Sequence, residues 1–469
     1  MALKDRRAEI YEYIKDHLDY LKLNKEIFEI YEGNLEPYVQ RILRESVNQR
    51  YYNSIKHRVF SFNILKRIVD KLAKVYAKGP NRRSTSQAQE VVEFYEKEMN
   101  LNWQMNLADE YANLFKGYAL EPYVHEGKAQ LRVLPYDRFL VISDDSVDPM
   151  KETVFVKMMG EKKVGHNGEV TKRSVFQVYT NEEFDAFDSD LETYTYALKD
   201  NEGVNPYGII PFIYGNRSRS KLIPTQDTDL INFTKMLPVM LTDLGGAIMY
   251  QCFSIIYGVD LDLENLTVSP DVIWNLKSDT DRDVTPTVGT IKPDVDIQKV
   301  LNFIQTSLIF LLETRGIRAG SVGSIDAGNT ASGISKIVDE MDTFEIRKQN
   351  IQFFKKDEQE LWAKLAIMHN EWIASGELTG LPLINLNSFF VDIDFDEPKP
   401  LESRQSMIET RQMEVDLGVL DKKTALEQLY PDLTEEQIEE RLVLIKNEES
   451  LKVFNGRTTE NSNSDSQGL

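Results

Sequence analysis

The helical period of residues 332–375 limits the fold more than any other feature. Ile334, Ile337, Met341, Phe344, Ile351, Phe354, Leu361, Leu365 and Met368 mark one apolar face. At about 1.5 Å per residue, forty-odd residues span roughly 60 Å, too long for the core of one small domain. Such a helix has to cross its subunit or be shared by neighbours. A glycine-rich loop, Gly320 to Gly333, opens it.

Two further helical patterns precede that loop and flank a small β insert. In Pro224–Tyr257, Leu230, Phe233, Leu237, Leu241, Leu244 and Ile248 form one face, and Pro238 is expected to bend it. In Asp294–Gly316 the apolar positions are Ile297, Leu301, Ile304, Leu308 and Leu311, with Asp294 and Asp296 at the electropositive end. Between them Ser254–Val259, Val272–Lys277 and Thr285–Ile291 read as short strands. Met236–Val259 is apolar enough to raise a membrane span, with Asp243 as its one charge. Pro238, Asp243, Gly245-Gly246 and Gln251 count against insertion, so no membrane insertion is expected and a helix buried between protein neighbours is.

The N-terminal part reads as helix over residues 2–30 and Phe60–Tyr76, loop over Asn81–Gln89, and helix again over Ala88–Gly117. From Tyr118 to Tyr214 the period becomes two, as in Gln130–Leu134, Thr153–Lys157 and Ser174–Tyr179, with a turn at Gly165–Gly168. The chain is therefore expected to be α+β and predominantly helical, its β layer mostly antiparallel. Phe389–Asp396 reads as a strand, followed by helices over Leu401–Leu417, Asp421–Tyr430 and Glu435–Glu448, the last behind the capping box Thr434 to Gln437. The tail after Gly456 is expected to be disordered.

The single cysteine, Cys252, allows no intrachain disulfide and argues for a reducing compartment. The opening Met-Ala-Leu-Lys-Asp-Arg-Arg lacks the apolar run of a secretory signal. The net charge of −21 is unevenly spread: +7 over residues 1–83, −18 over 84–390 and −10 over 391–469. This is not the basic stripe of a DNA-reading protein; it suits one that lets nucleic acid pass without holding it.

Chemical motifs are sparse. The phosphate-cradling Gly-x-x-x-x-Gly-Lys-Ser/Thr loop is missing, and Gly320, Gly323, Gly328 and Gly333 lack dinucleotide-fingerprint spacing. His17, His57, His125, His166 and His369 form no ligand pair. In the run Asp392, Asp394, Asp396, Glu397 stands where a calcium loop needs glycine, and Asp279, Asp281, Asp283 fails the same test at Val284. No catalytic residue, metal site or cofactor is expected. A metal-dependent nucleic-acid enzyme using these aspartates, and a membrane-associated scaffold inserting Met236–Val259, stand as alternatives.

The order of parts resembles the portal proteins of tailed bacteriophages. The stretches that carry the likeness are Gly208–Asn216, Gly328–Gly333, Asp394–Pro398 and Leu417–Leu426. The resemblance implies a wing over 1–220 with a further strand at 391–400, stem helices over 221–254 and 294–316, and a clip over 255–293. It further implies a tunnel loop at 317–331, a long tunnel-to-wing helix and return over 332–390, and crown helices over 401–455. In that frame Arg315, Arg318, Gly320, Ser321, Gly323, Ser324, Gly328, Asn329 and Lys336 would face the DNA channel. Arg315 and Arg318 also suit an ordinary helix C-terminus. Lys277, Asp279, Asp281, Arg282 and Asp283 would meet the terminase or the adaptor. The implied assembly is a homododecamer at one capsid vertex, in the virion, assembled in the host bacterial cytoplasm. Its implied partners are double-stranded DNA without sequence specificity, the terminase large subunit, the head-tail adaptor, and the major capsid protein with its scaffold. Its implied roles are nucleating procapsid assembly and conducting DNA in packaging and ejection.

Overall fold

A computed structural model describes residues 2–166, 169–194, 203–218, 220–253, 255–259, 287–291, 296–317, 333–395, 404–430 and 437–445. It mixes helix and sheet and is predominantly helical, the expected α+β class. Two compact units emerge: Met1–Val322 with Asp342–Glu397, and Gly323–Met341 with Pro398–Leu469.

In the larger unit the expected first helix is two, α1 (Arg7–Asp16) and α2 (Leu18–Tyr31). At His17 the backbone leaves helical angles and the ring Nδ1 lies 2.8 Å from the Tyr13 carbonyl, so the side chain competes with the helix ladder. Helices α3 (Glu36–Ser46), α4 (Gln49–Ile55) and α5 (Ile64–Leu72) follow. Asn81–Arg83, expected as loop, is strand β1. The helical pattern behind it divides into α6 (Ser86–Glu98) and α7 (Leu101–Phe115), because Asn100 takes a left-handed conformation at φ 48°.

The β region holds β2 (Gly117–His125), β3 (Lys128–Leu134), β4 (Phe139–Ile142), β5 (Val154–His166), β6 (Glu169–Tyr179), β7 (Phe184–Asp188) and β8 (Ile213–Asn216). They form an antiparallel sheet in the order β3-β2-β8 and a second in the order β4-β5-β6-β7. Ile10 and Ile14 of α1 close one face of the second sheet against Leu140, Val156 and Phe176.

Helix α8 (Thr228–Phe253) runs through Pro238 as one element. It leads into β9 (Ile255–Val259), which pairs antiparallel with β10 (Thr287–Ile291), and α9 (Ile297–Glu313) follows. The side chain of Asp296 caps α9 by accepting the Lys299 amide at 3.1 Å. The expected strand Val272–Lys277 lies outside the described residues. Helix α10 (Gly333–Ala374) has 42 residues, the length that the period demanded, and belongs to this unit from Asp342 on. Phe354, Leu361, Trp362, Leu365, Met368 and Trp372 bury its second half in the main core with Tyr95, Met105 and Phe115. Strand β11 (Asp392–Asp394) pairs antiparallel with β1, Ile393 buried and both aspartates exposed. That is an ordinary half-buried strand.

In the smaller unit, α11 (Arg404–Asp416) stops at Gly418, φ 72°, and α12 (Lys422–Leu429) is capped by Asp421, which accepts the Thr424 amide at 2.7 Å. Residues 437–445 are helical.

Candidate functional site: the α8–α9 helix pair

Helices α8 and α9 pack together and are joined through β9 and β10. Leu230, Ile231, Leu237, Val239 and Leu244 sink one side of α8, and Ile304, Leu311 and Leu312 one side of α9. Their starts and ends are tied by charge. Asp229 in the first turn of α8 receives Arg315, just past α9, at 2.8 Å, and Lys116 meets Asp227 at 2.6 Å. The Arg315 hydrogen bond holds the Asp229 carboxyl below its usual range. Lys235 binds Glu26 at 2.8 Å, securing α8 to α2.

Of the glycines at 245 and 246, only the second meets a close neighbour. A Cβ on Gly246 would come within 2.7 Å of the Tyr51 hydroxyl of α4, and one on Gly245 within 3.5 Å of the Phe60 ring. Gly246 thus leaves room for the Tyr51 hydroxyl against α8.

Several large apolar side chains of this pair are uncovered in a single copy. Phe303 and Phe310 are 63% and 62% exposed and seven residues apart, hence on the same face of α9. Leu301, Met236 and Ile248 are also exposed, as are Phe60 and Phe62, whose rings stack at 6.3 Å. Sequence reading followed the Leu/Ile stripe of α9 and passed over these phenylalanines; their i, i+7 spacing was the available signal.

A buried charge cluster fixes α10. Arg82 of β1 reaches Glu358 of α10 with Nε at 3.0 Å and a second contact through Nη2, while Nη1 meets Asn102 at 2.8 Å and Glu96 at 2.5 Å. The Arg82 and Glu358 side chains have no exposed surface. Burial pushes the Glu358 carboxyl up and also disfavours the Arg82 charge, but the carboxylates around Arg82 hold it protonated. We take the pair as ionic, since a guanidinium does not give up its proton in proteins. Beside it, Asp357 accepts the Tyr118 hydroxyl at 2.9 Å. Asp109 of α7 takes the Val75 amide at 2.9 Å and Arg217 at 3.1 Å, yet burial outweighs both and pushes it up to about 6.

Of the residues expected in the channel, Arg315 is engaged with Asp229. Lys336 lies in α10. Arg318, Gly320, Ser321, Gly323, Ser324, Gly328 and Asn329 lie outside the described residues, as do Lys277, Asp279, Asp281, Arg282 and Asp283. His369 is structural, between the Tyr95 hydroxyl at 2.7 Å and the Pro382 carbonyl at 2.9 Å. Among the described residues no group of three or more His, Cys, Asp or Glu is placed to hold a metal. No helix among them is long and apolar enough to cross a membrane.

No family model matches the sequence, and no curated protein does. Among solved structures the chain is similar to one from the neck of an empty gene transfer agent particle computed with C6 symmetry, at TM-score 0.34 and 13% identity, covering 77% of this chain and 88% of that one. Chains from the virion of the native particle (TM-score 0.35, 13% identity) and from its neck computed with C12 symmetry (0.36, 12%) match over the same shares, 77% and 88%. Superposition this loose carries no argument about function.

Proposed function

We propose that the chain is a portal-type subunit, one of a closed ring of identical copies through which double-stranded DNA passes at one vertex of a phage-like capsid. The observation that carries this is the aromatic face of α9, Phe303 and Phe310, left bare by the subunit's own fold. Exposed aromatic faces of this kind mark interaction surfaces, and the 42-residue α10 exceeds what one small domain needs. Neighbouring copies would cover Phe303 and Phe310 around the ring.

The charge fits a conduit. Twelve copies at −21 carry about −250 in all, so the wall offers few phosphate contacts and DNA slides with little sticking. In this reading 317–331 is the tunnel loop, with Arg318 and Lys336 as weak phosphate contacts, and 255–293 is the clip that docks the terminase and then the adaptor. Residues 401–455 form the crown, and the capsid protein and its scaffold meet the outer ring. ATP hydrolysis belongs to the terminase.

The test is assembly. Light scattering and negative-stain microscopy of the purified chain are expected to show rings of about a dozen copies. Phe303→Glu combined with Phe310→Glu should leave the single copy folded, because both rings are exposed there, while abolishing the rings. A monodisperse wild-type monomer, or rings indifferent to the double variant, overturns the reading.

A further inference from the structure

Where the two larger sheets meet, a cavity of about 400 Å³ opens between β2, β3, β5, β6 and the segment 203–212. That volume is in the range of small-ligand sites. Four of its polar groups come as two cross-strand pairs, Glu121 opposite Arg132 on β2 and β3, and Lys157 opposite Gln177 on β5 and β6. Glu121 binds both cations, Lys157 at 2.5 Å and Arg132 at 3.0 Å, so the set carries one net positive charge.

This arrangement leaves donors over. A lysine ammonium has three N–H donors, and Lys157 spends one on Glu121; no other hydrogen bond from it occurs among the described residues. Gln177 is 9% exposed, yet its carboxamide finds no side-chain partner among the described residues. The carboxamide atoms keep some accessible surface, so they stand open to a ligand in the cavity. The rest of the wall includes His125 and Asn205 and is rich in aromatic rings: Tyr123, with the Arg132 guanidinium 4.5 Å from its ring centre, then Tyr179, Tyr207 and Phe212.

We infer that this cavity is a binding site for a small aromatic or heteroaromatic ring bearing one oxyanion, with Lys157 and Arg132 taking the anion, Gln177 the ring edge and the tyrosines its faces. The oxyanion is a carboxylate or a phosphate, chemistries that the same donors satisfy. Burial already pushes the Lys157 ammonium down, and an anion beside it would raise it again. The site does not depend on the ring proposal.

The test is calorimetric titration of the full chain with adenosine 5′-monophosphate and, separately, 4-hydroxybenzoate, with inorganic phosphate and cyclohexanecarboxylate as ringless and non-aromatic controls. One of the two aromatic anions is expected to bind, and which one identifies the oxyanion. Gln177→Leu should weaken it about tenfold or more. That variant leaves no partner unpaired and should fold; Lys157→Met, which leaves Glu121 with Arg132 as its one cation, supplements it where it folds. No heat with either aromatic anion, controls binding equally well, or affinity unchanged in Gln177→Leu overturns the site.

Discussion

Arg82→Ala is expected to lower unfolding stability by about 3–5 kcal/mol. The substitution strands the Glu358 carboxylate, which has no exposed surface, and deprives Asn102 and Glu96 of their donor. Glu358 is already imperfectly served, since its Oε2 is buried without a partner. Removing Arg82 leaves the whole carboxylate uncompensated, and a buried lone charge costs far more than the pair contributes. The converse follows from the same physics. Arg82→Met with Glu358→Leu removes both charges at similar volume and should recover most of the loss, because Glu96 reaches water. Urea denaturation of the two single variants and the double, at one protein concentration, closes the cycle. A double variant as unstable as the sum of the singles would show that the cost lies in packing and not in charge.

That cluster also shows where sequence reading stops. The period of α10, the Asp296 cap, the stop at Gly418 and the β9 and β10 segments were legible, because each is a local preference that the tertiary structure does not oppose. Breaks at His17 and Asn100 were not, since the apolar period continues across both and a single residue leaving helical angles does not disturb it. Strand β1 was read as loop because three polar residues, Asn81–Arg83, become a strand only by pairing with β11 some three hundred positions later. Arg82, Asp109, Asp357 and Glu358 look like solvated charges in the sequence; only the packing of α7, α10 and β1 withdraws them from water. For the candidate site, the helix pair was legible and its bare aromatic side was not, because exposure depends on which face the rest of the fold chooses to cover.

Between pH 4 and pH 7 the protein is expected to lose stability as the pH rises, and Asp357→Asn to remove much of that slope. The Asp357 carboxyl is pushed up to about 7, chiefly by withdrawal from water; Glu360 adds to the shift, while the Tyr118 hydrogen bond, Lys356 and Arg217 oppose it. Gly215 of β8 makes the close fit possible, for a Cβ there would overlap the Tyr118 ring and lie 2.9 Å from Asp357 Oδ2. In the unfolded chain the same carboxyl titrates near 3.9, so across the interval the folded state keeps a proton that the unfolded state gives up. By linkage the stabilisation is complete below about pH 4, falls with rising pH and is gone above about 7. Asp109, pushed up to about 6, adds to the slope with the same sign. Asp144, Asp229 and Asp421 are held low by their partners and act only at more acid pH, in the opposite sense. Asp357 retains some contact with solvent, which screens the effect to about 1–2 kcal/mol. Asparagine keeps an acceptor for Tyr118 and cannot ionise, so at pH 8 the variant should be the more stable by that amount, and near pH 4 the two should coincide. Urea midpoints at intervals from pH 4 to pH 8 measure both curves, and parallel curves would place the titrating group elsewhere.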